Sequence, residues 1–444
     1  MHLSTIAILS RPASELYYEI DVTPYPDRLS DLFQLEFFGM KLGLENITKL
    51  LEFLGRPDRK FPAIHVAGTN GKGSVCAMLA AVHQAAGRKT GLYTSPHLVD
   101  FRERIRIDGE MISEEEVSQF LERIWPKVKE LRATFFEVTT ALAFDHFARH
   151  RVEIAIIETG LGGRLDATNV LEHPLATVIT SIGYDHTAQL GSTLEAIAFE
   201  KSGIFKPYVP AIVNCEEPLE PLFRGRAREA GAPLLFVRQA IRRSNEKGRT
   251  LWTPPFPGVH QERNVHTVRA TIEMLPYRIP LKLTRKGIHS TELLTCFHGR
   301  IEPIFHPDLA KRKVDFFVDV GHNPQAFDAV GKFFASRKGK RKPIVVAGVM
   351  KDKDVDGILA SIKKFASSFI AVQAKTDRAL SSATLHAAAG RAGIASLNGG
   401  AVLDGLAQAF QRAQRGNTVL LTGSHYVVGE FLENFQQGGR VFMV

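Results

Sequence analysis

The stretch HVAGTNGKGSVCAM, residues 65–78, decides the fold class. An apolar segment at 64–67 has the composition of a buried strand, a glycine-rich turn follows it, and small helix-forming residues follow the turn. Glycines in such a turn allow backbone N–H groups to approach phosphate oxygens, and the dipole of the next helix favours negative charge there. The stretch therefore predicts a strand, a phosphate-binding loop and a helix in succession.

The loop departs from the common nucleotide-binding pattern G-x-x-x-x-G-K-S/T. Val66 stands where the first glycine belongs, and Gly73 separates Lys72 from Ser74. The physical requirements are still met, because Gly71 and Gly73 allow close backbone approach to a phosphate. We expect Lys72 to neutralise charge on the β- and γ-phosphates and Ser74 to reach a phosphate or Mg²⁺.

The rest of the chain alternates between apolar runs and helical segments. Its 444 residues are 44% hydrophobic and 23% charged, and a length of roughly 100–200 residues per domain predicts two or three domains. Runs such as VEIAIIETG and LATVITSIG are typical of parallel strands covered on both faces. A more polar stretch at 238–294 interrupts the alternation. We predict an α/β fold with a mostly parallel P-loop domain at 1–295, a smaller Rossmann-like domain at 296–444, and a hinge near 290–300.

Charge and cysteine content exclude several classes of protein. The net charge is +9, but the densest basic run, RKGKRK at 337–342, has no interleaved aromatic residues, so we interpret it as a solvated loop and expect no nucleic-acid partner. No run of about 18 apolar residues is present, so we expect no membrane span and no association with a membrane. Residues 1–10 lack a basic leader, so we expect no signal peptide. Three widely spaced cysteines suit reduced thiols. We expect a cytoplasmic monomer.

Several short motifs follow the phosphate loop in a fixed order. With GTNGKGS at 68–74, this series resembles the Mur ligase superfamily and, more narrowly, the folylpolyglutamate synthase and dihydrofolate synthase family. The resemblance extends over roughly residues 40–430 and implies a Mur-ligase-type fold. The motifs are YTSPHL (93–98), FRERI (101–105), ETGLGGRLDATN (158–169), DHT (185–187), EKSGIFK (200–206) and DVGHNP (319–324).

Two polar side chains follow apolar runs, at the sheet edge where α/β proteins bind ligands. Glu158 ends one run and His186 follows another. The resemblance assigns both to Mg²⁺, together with Ser95, and implies two Mg²⁺ ions. It also implies that Lys201 is carbamylated beside the second ion. A free ammonium about 4 Å from a divalent ion would be repelled by roughly 8 kcal/mol at an effective dielectric of 20, so we predict the carbamate here.

The second domain is expected to complete the ATP site. Asp319 follows the apolar run VDFFV and can accept the ribose hydroxyls. The resemblance places His322 near the nucleotide, Asn264 on the adenine or ribose side, and Arg300 on phosphate. If both domains contact ATP, it binds in the cleft between them, and closure of the domains excludes water from a hydrolysable intermediate.

The reaction implied by the resemblance is ATP-dependent addition of L-glutamate to folates through an acyl phosphate. The substrates would be ATP, L-glutamate, and dihydropteroate or a reduced folate. Asp319-Val320-Gly321, where many relatives have Asp-Gly-Ala, suggests the bifunctional bacterial type, and His298 replaces a frequent proline. The residues implied in catalysis are Lys72, Glu158, His186 and Lys201. By resemblance the pterin contacts come from segments 41–46, 135–140 and 164–168, and the residues selected from the last two are Phe136, Glu137, Thr140, Leu165, Asp166 and Ala167.

Two other functions remain as alternatives. A peptidoglycan Mur ligase would need a further N-terminal domain, for which the residues before Gly68 are too few. A P-loop regulatory ATPase would hydrolyse ATP without folate or glutamate. One possible metal motif is also weak: His146 and His150 are four residues apart on a helix, but Phe147 replaces the glutamate of a zinc protease motif, so we interpret both as packing or surface residues.

Overall fold

The computed structural model describes residues 25–35, 43–245, 252–337 and 339–437. Residues 1–10, the first two residues of the 41–46 segment, and Lys338 of the basic run therefore lie outside the described residues. Within the described part of the chain, no helix is long and apolar enough to cross a membrane.

A first sheet of eight strands is built around the phosphate-loop strand, in the order β4-β3-β2-β5-β1-β6-β7-β8. β1 lies between β5 and β6 and is parallel to both, whereas β3 and β4 form an antiparallel hairpin at one edge. The mostly parallel sheet predicted from the apolar runs is confirmed. The strands are β1 (Ala63–Ala67), β2 (Thr90–Tyr93), β3 (Ile105–Ile107), β4 (Glu110–Met111), β5 (Ile154–Glu158), β6 (Ala176–Ile179), β7 (Ala211–Val213) and β8 (Leu234–Phe236).

A second sheet of six strands follows in the order β13-β12-β11-β14-β10-β9. Its strands are parallel except for β9, which pairs antiparallel with β10. The two sheets lie on either side of the predicted boundary at 295, which itself stays a prediction. The strands are β9 (Glu302–Pro303), β10 (Asp315–Val318), β11 (Ile344–Ala347), β12 (Ser368–Gln373), β13 (Ser396–Ala401) and β14 (Thr418–Thr422).

Helices connect and cover both sheets. The first group is α1 (Tyr25–Gln34), α2 (Glu45–Phe53), α3 (Lys72–Ala85), α4 (Glu114–Leu131), α5 (Phe135–Arg149), α6 (Thr187–Leu190), α7 (Leu194–Ser202), α8 (Glu220–Ala230), α9 (Val237–Asn245), α10 (Val259–Met274), α11 (Leu281–His289) and α12 (Thr291–Thr295). The second group is α13 (Pro307–Arg312), α14 (Pro324–Ser336), α15 (Val355–Phe365), α16 (Ser382–Arg391), α17 (Val402–Arg412) and α18 (His425–Gln436).

The polar stretch at 238–294 contains helices that the sequence did not indicate. Of these, α10, α11 and α12 all contact α3. Val265, Val268 and Ile272 of α10 recur at helical spacing and share one apolar core with α3. Because these apolar residues are separated by polar ones on the other face, the stretch reads as polar overall. The phosphate-loop helix α3 is thereby buried along most of its length.

Gly287 allows α11 to approach α3 closely. A Cβ atom at this position would lie 2.4 Å from the Cα of Val82 and 2.7 Å from the carbonyl oxygen of Ala81. Both are backbone atoms of α3, so they cannot move aside as a flexible side chain would. The contact between the two helices therefore depends on the missing side chain.

We predict that Gly287→Ala lowers the free energy of unfolding by about 1–3 kcal/mol, because α11 must move away from α3. The matched control is Gly225→Ala in α8, where an added Cβ meets no atom within 4 Å. This control should be neutral or stabilising by up to about 1 kcal/mol, through helix propensity alone. Urea unfolding measures both variants, and equal stability of the two would contradict the packing argument.

Candidate active site

The phosphate loop lies between the end of β1 and the start of α3. Gly71 precedes α3 with a φ of 84°, a left-handed conformation that favours glycine. A Cβ at Gly71 would lie 2.6 Å from Oδ1 of Asn264, a residue of α10. Lys72 begins α3, and its Nζ donates a hydrogen bond to the carbonyl oxygen of Thr69 at 3.3 Å. The loop is therefore held by its own backbone on one side and by α10 on the other.

A cavity of about 560 Å³ opens beside the loop, between the two sheets. The residues predicted to bind the nucleotide and the metal all line it, so the structure brings them together. Their individual roles stay predictions. These residues are Gly71, Lys72, Gly73, Ser74, Ser95, Glu158, His186, Lys201, Asn264, Arg300, Asp319 and His322.

Glu158 places a buried carboxylate at the end of β5. Glu158 is only 4% exposed, and its Oε2 accepts a hydrogen bond from the backbone N–H of Ser95 at 3.2 Å. Burial raises the pKa of this carboxyl above its usual value, whereas the charges of Lys72 and Arg300 oppose the rise. A nearby cation therefore stabilises the ionised form, which is the form that binds a metal.

His186 supplies a neutral imidazole to the same cavity. Burial and the charge of Lys353 lower the pKa of this residue to about 4, so the ring is unprotonated at neutral pH. Its backbone has a φ of 51° at the start of the short helix α6. Ser95, Glu158 and His186 all line the cavity, so a hydroxyl, a carboxylate and an imidazole are available there to a divalent cation.

Lys201 has the chemistry that carbamylation requires. It lies in the last turn of α7, is 5% exposed, and donates a hydrogen bond from Nζ to the carbonyl oxygen of Gly68 at 2.9 Å. Burial and the charge of Lys72 lower the pKa of Lys201 to about 7. A large fraction of the amine is therefore unprotonated near neutral pH, and this is the form that adds CO₂.

The second sheet contributes side chains after β10. The Oδ2 of Asp319 accepts the N–H of Ile301 at 2.9 Å, and its Oδ1 accepts the N–H of Gly321 at 2.8 Å. Nδ1 of His322 donates to the carbonyl oxygen of Val320 at 3.0 Å. These bonds fix both side chains at the carboxyl end of the strand, facing the cavity.

Arg300 brings a cation to the cavity without a carboxylate partner among the described residues. Its guanidinium donates to the carbonyl oxygen of Gly299 at 3.1 Å and lies 4.7 Å from the ring centroid of Phe297. Burial lowers the pKa of Arg300, but a guanidinium remains charged in proteins. A partly buried, planar cation of this kind suits a phosphate group.

Asp185 lines the cavity, and the sequence analysis did not select it as a site residue. It follows β6 and contacts three side chains that follow strands of the second sheet. The contacts are to Nζ of Lys353 at 2.7 Å, Nε2 of His322 at 3.3 Å and Nδ2 of Asn323 at 3.1 Å. Burial alone would raise the pKa of Asp185, but His322 and Lys353 hold it well below its usual range. Its position beside His186 was the available signal in the sequence.

The residues predicted to contact the pterin lie outside the lining of this cavity. The carboxylate of Glu137 caps α5, where it accepts the N–H and hydroxyl of Thr134 at 2.7 and 2.9 Å. The carboxylate of Asp166 accepts the N–H of Leu161 at 2.8 Å and the N–H of Thr168 at 3.0 Å. These bonds account for both buried carboxylates without a ligand.

Phe136 is the predicted pterin contact that lies next to the cavity. A Cβ at Gly160, which lines the cavity, would be 2.5 Å from Cζ of Phe136. Thr140 is buried, and its hydroxyl lies 3.2 Å from that of Tyr93. Leu165 and Ala167 do not line the cavity. A substrate role for this group of residues stays a prediction.

The comparison with known proteins decides the family. The Mur ligase middle domain matches residues 66–249, and the Mur ligase glutamate ligase domain matches residues 299–425. The dihydrofolate synthase/folylpolyglutamate synthase of Bacillus subtilis (strain 168) is 33% identical over 367 residues, which cover 78% of this chain and 84% of the relative. This chain belongs to the dihydrofolate synthase/folylpolyglutamate synthase family of Mur ligases.

Solved structures of the same family support the fold assignment. Escherichia coli FolC in complex with DHPP and ADP has a TM-score of 0.81 and 29% identity, with 94% of this chain and 98% of that chain covered. A bifunctional folylpolyglutamate synthase/dihydrofolate synthase with Mn, AMPPNP and L-glutamate bound has a TM-score of 0.79 and 28% identity, with 93% and 98% covered. The predicted family, fold class and ATP-dependent ligase class are confirmed for this Mur ligase.

We predict that Glu158→Gln weakens the binding of Mn²⁺ in the presence of AMPPNP at least about tenfold, because the buried carboxylate is lost while its shape is kept. Glu153→Gln is the matched control, since Glu153 is exposed just before the opposite end of β5. Isothermal titration calorimetry measures both affinities. Wild-type affinity in Glu158→Gln would refute the metal assignment.

Proposed function

We propose that this chain joins the amino group of L-glutamate to a carboxylate of dihydropteroate or a reduced folate, with ATP converted to ADP and phosphate. The observation that carries the proposal is the cavity that the phosphate loop and the end of β10 share. Cations from the loop and Arg300 suit the phosphates, while Asp319 suits the ribose. The relatives that contain L-glutamate, AMPPNP and DHPP support this choice of substrates.

The first step transfers the γ-phosphoryl group of ATP to the substrate carboxylate and gives an acyl phosphate. In this step Lys72 and the backbone N–H groups at the start of α3 hold the phosphates and neutralise their charge. Ser95, Glu158 and His186 would hold Mg²⁺, which supplies further charge neutralisation when it is bound. In the second step the amine of glutamate attacks the acyl phosphate, and inorganic phosphate leaves from the tetrahedral intermediate.

The protein contributes mainly position and charge. The acyl phosphate is hydrolysable, so water must be excluded while glutamate attacks. Asp185, which follows a strand of the first sheet, lies 3.3 Å from His322, which follows a strand of the second sheet. This contact between the two sides of the cavity suits a cleft that closes over its substrates. We infer that the chain acts as a cytoplasmic monomer with two Mg²⁺ ions, and the relative that contains Mn, AMPPNP and L-glutamate supports a divalent cation beside the nucleotide.

Lys201 is proposed to carry a carbamate. Its unprotonated, neutral amine adds CO₂ and releases one proton, so that a neutral group beside the phosphate loop becomes an anion that can face a metal. The low pKa of Lys201, about 7, makes this addition feasible near neutral pH.

We predict that the full-length protein in ¹³C-bicarbonate shows one carbamate ¹³C NMR signal, which grows as the pH rises from about 6 to 8 because the amine loses its proton over this range. Lys201→Arg should abolish the signal. Lys206→Arg should retain it, because Lys206 lies five residues on and donates instead to the carbonyl oxygen of Asn169. A signal of equal size in Lys201→Arg would count against the modification.

We predict that phosphate release requires both L-glutamate and a pteroate or folate acceptor. Mass spectrometry of the products with dihydropteroate and, separately, with tetrahydrofolate should show the mass of one or more added glutamate residues. Omission of either substrate should reduce phosphate release to background. Equal ATP hydrolysis without acceptor and glutamate would instead indicate a regulatory ATPase, and would refute the proposed ligase function.

A further inference from the structure

A second cluster of metal-ligating groups lies away from the cleft, between α4 and α5. Glu116, His146 and His150 each offer one ligand atom, and these atoms all lie within 4.8 Å of one another. We propose that this cluster is a binding site for Zn²⁺ that connects the start of α4 to the end of α5. The proposal does not depend on the function of the cleft.

The histidine pair is placed by helical geometry. Residues four apart on a helix lie on the same face, and His146 and His150 therefore point to the same side of α5, with ring centroids 4.4 Å apart. The sequence analysis noted this spacing but found no third ligand, because Phe147 stands at the usual position of a glutamate. The structure provides the carboxylate from a different helix, at Glu116.

The carboxylate of Glu116 is oriented by the cap of α4. Its Oε2 accepts the hydroxyl of Ser113 at 3.0 Å and completes a capping box. The other oxygen, Oε1, therefore faces the histidines: it lies 3.5 Å from Nδ1 of His146 and 2.6 Å from Nε2 of His150. A hydrogen-bonded carboxylate whose second oxygen is free to bind is typical of a supported metal ligand.

The distances suit a tetrahedral ion. With metal–ligand bonds of about 2.0–2.1 Å, tetrahedral ligand atoms lie about 3.3 Å apart. The separation between Glu116 and His146 is already close to this value, at 3.5 Å. The shorter contact to His150 must widen by under about 1 Å. His150 follows the last residue of α5 and its side chain is 40% exposed, so its ring has room to turn.

The donor types favour zinc over magnesium. Two imidazoles and one carboxylate match the ligands that Zn²⁺ prefers, whereas Mg²⁺ prefers sites in which most ligands are oxygen atoms. The cation whose charge acts on His146 is Arg149, and its ion-pair partner is Asp145, at 3.9 Å, rather than Glu116. The exposed side of His150 gives water access to a fourth position.

The site is structural in character. His150 lies roughly 20 Å along the α5 axis from Phe136, the predicted pterin contact. A metal here would cross-link two helices that share the apolar core of the first sheet, including Phe120 and Phe144. We therefore expect Zn²⁺ to stabilise the fold without changing the rate of phosphate release at saturating Mg²⁺.

The test uses the full-length protein from which Zn²⁺ has been removed. Excess Mg²⁺ and AMPPNP are then added to occupy the cleft. Competition with a chromogenic chelator measures the number and affinity of bound Zn²⁺ ions, and a thermal melt measures stabilisation. The variants are His150→Ala and Glu116→Gln, and the latter retains the α4 cap because glutamine also serves in a capping box. His173→Ala, at an exposed histidine outside the cluster, is the matched control.

We expect wild type and His173→Ala each to bind one Zn²⁺ ion with the same affinity. His150→Ala and Glu116→Gln should bind this ion at least tenfold more weakly. Zn²⁺ should raise the melting temperature only of the first two proteins. Co²⁺ should give tetrahedral visible absorption bands in wild type and not in Glu116→Gln. The same number and affinity of Zn²⁺ ions in all four proteins would overturn the proposal and leave the cluster as a histidine–carboxylate hydrogen bond.

Discussion

The buried carboxylate of Asp185 links the two sheets by a charged contact. It follows β6 of the first sheet and is ion-paired with Lys353 at 2.7 Å, and both side chains are less than a tenth exposed. Removal of one partner from such a buried pair leaves the other charge uncompensated, at a cost of roughly 3–5 kcal/mol. The contact also places His322 and Asn323 opposite the phosphate loop. The geometry of the cleft therefore depends in part on a charge that itself lines the cavity.

This arrangement explains why a nucleotide ligase needs both sheets. Parallel strands direct their carboxyl ends toward one edge, and each sheet brings one set of polar side chains there. The first sheet supplies Lys72, Glu158 and Lys201; burial raises the pKa of Glu158 and lowers the pKa of Lys201. The second supplies Asp319 and a neighbouring cation.

The sequence predicted the central features because they are local. Apolar runs identified β1, β5 and β6, and the residues that follow them identified the cleft. The short polar strand β13 (SLNGGA) and the β3–β4 hairpin were missed, since neither has a continuous apolar pattern. Asp185 with Lys353 and Glu116 with His146 were missed for another reason: the partners are far apart in the chain, and only the folded structure brings them together.

The central claim is that one ATP molecule contacts both sheets. The most direct test measures the Mg²⁺-dependent affinity for ATP of wild type, Lys72→Ala and Asp319→Ala, one residue from each side of the cavity. The account predicts that both variants bind ATP at least about tenfold more weakly, by about 1.4 kcal/mol or more. Wild-type affinity in Asp319→Ala together with weak binding in Lys72→Ala would show that the first sheet binds ATP alone, and would contradict the account.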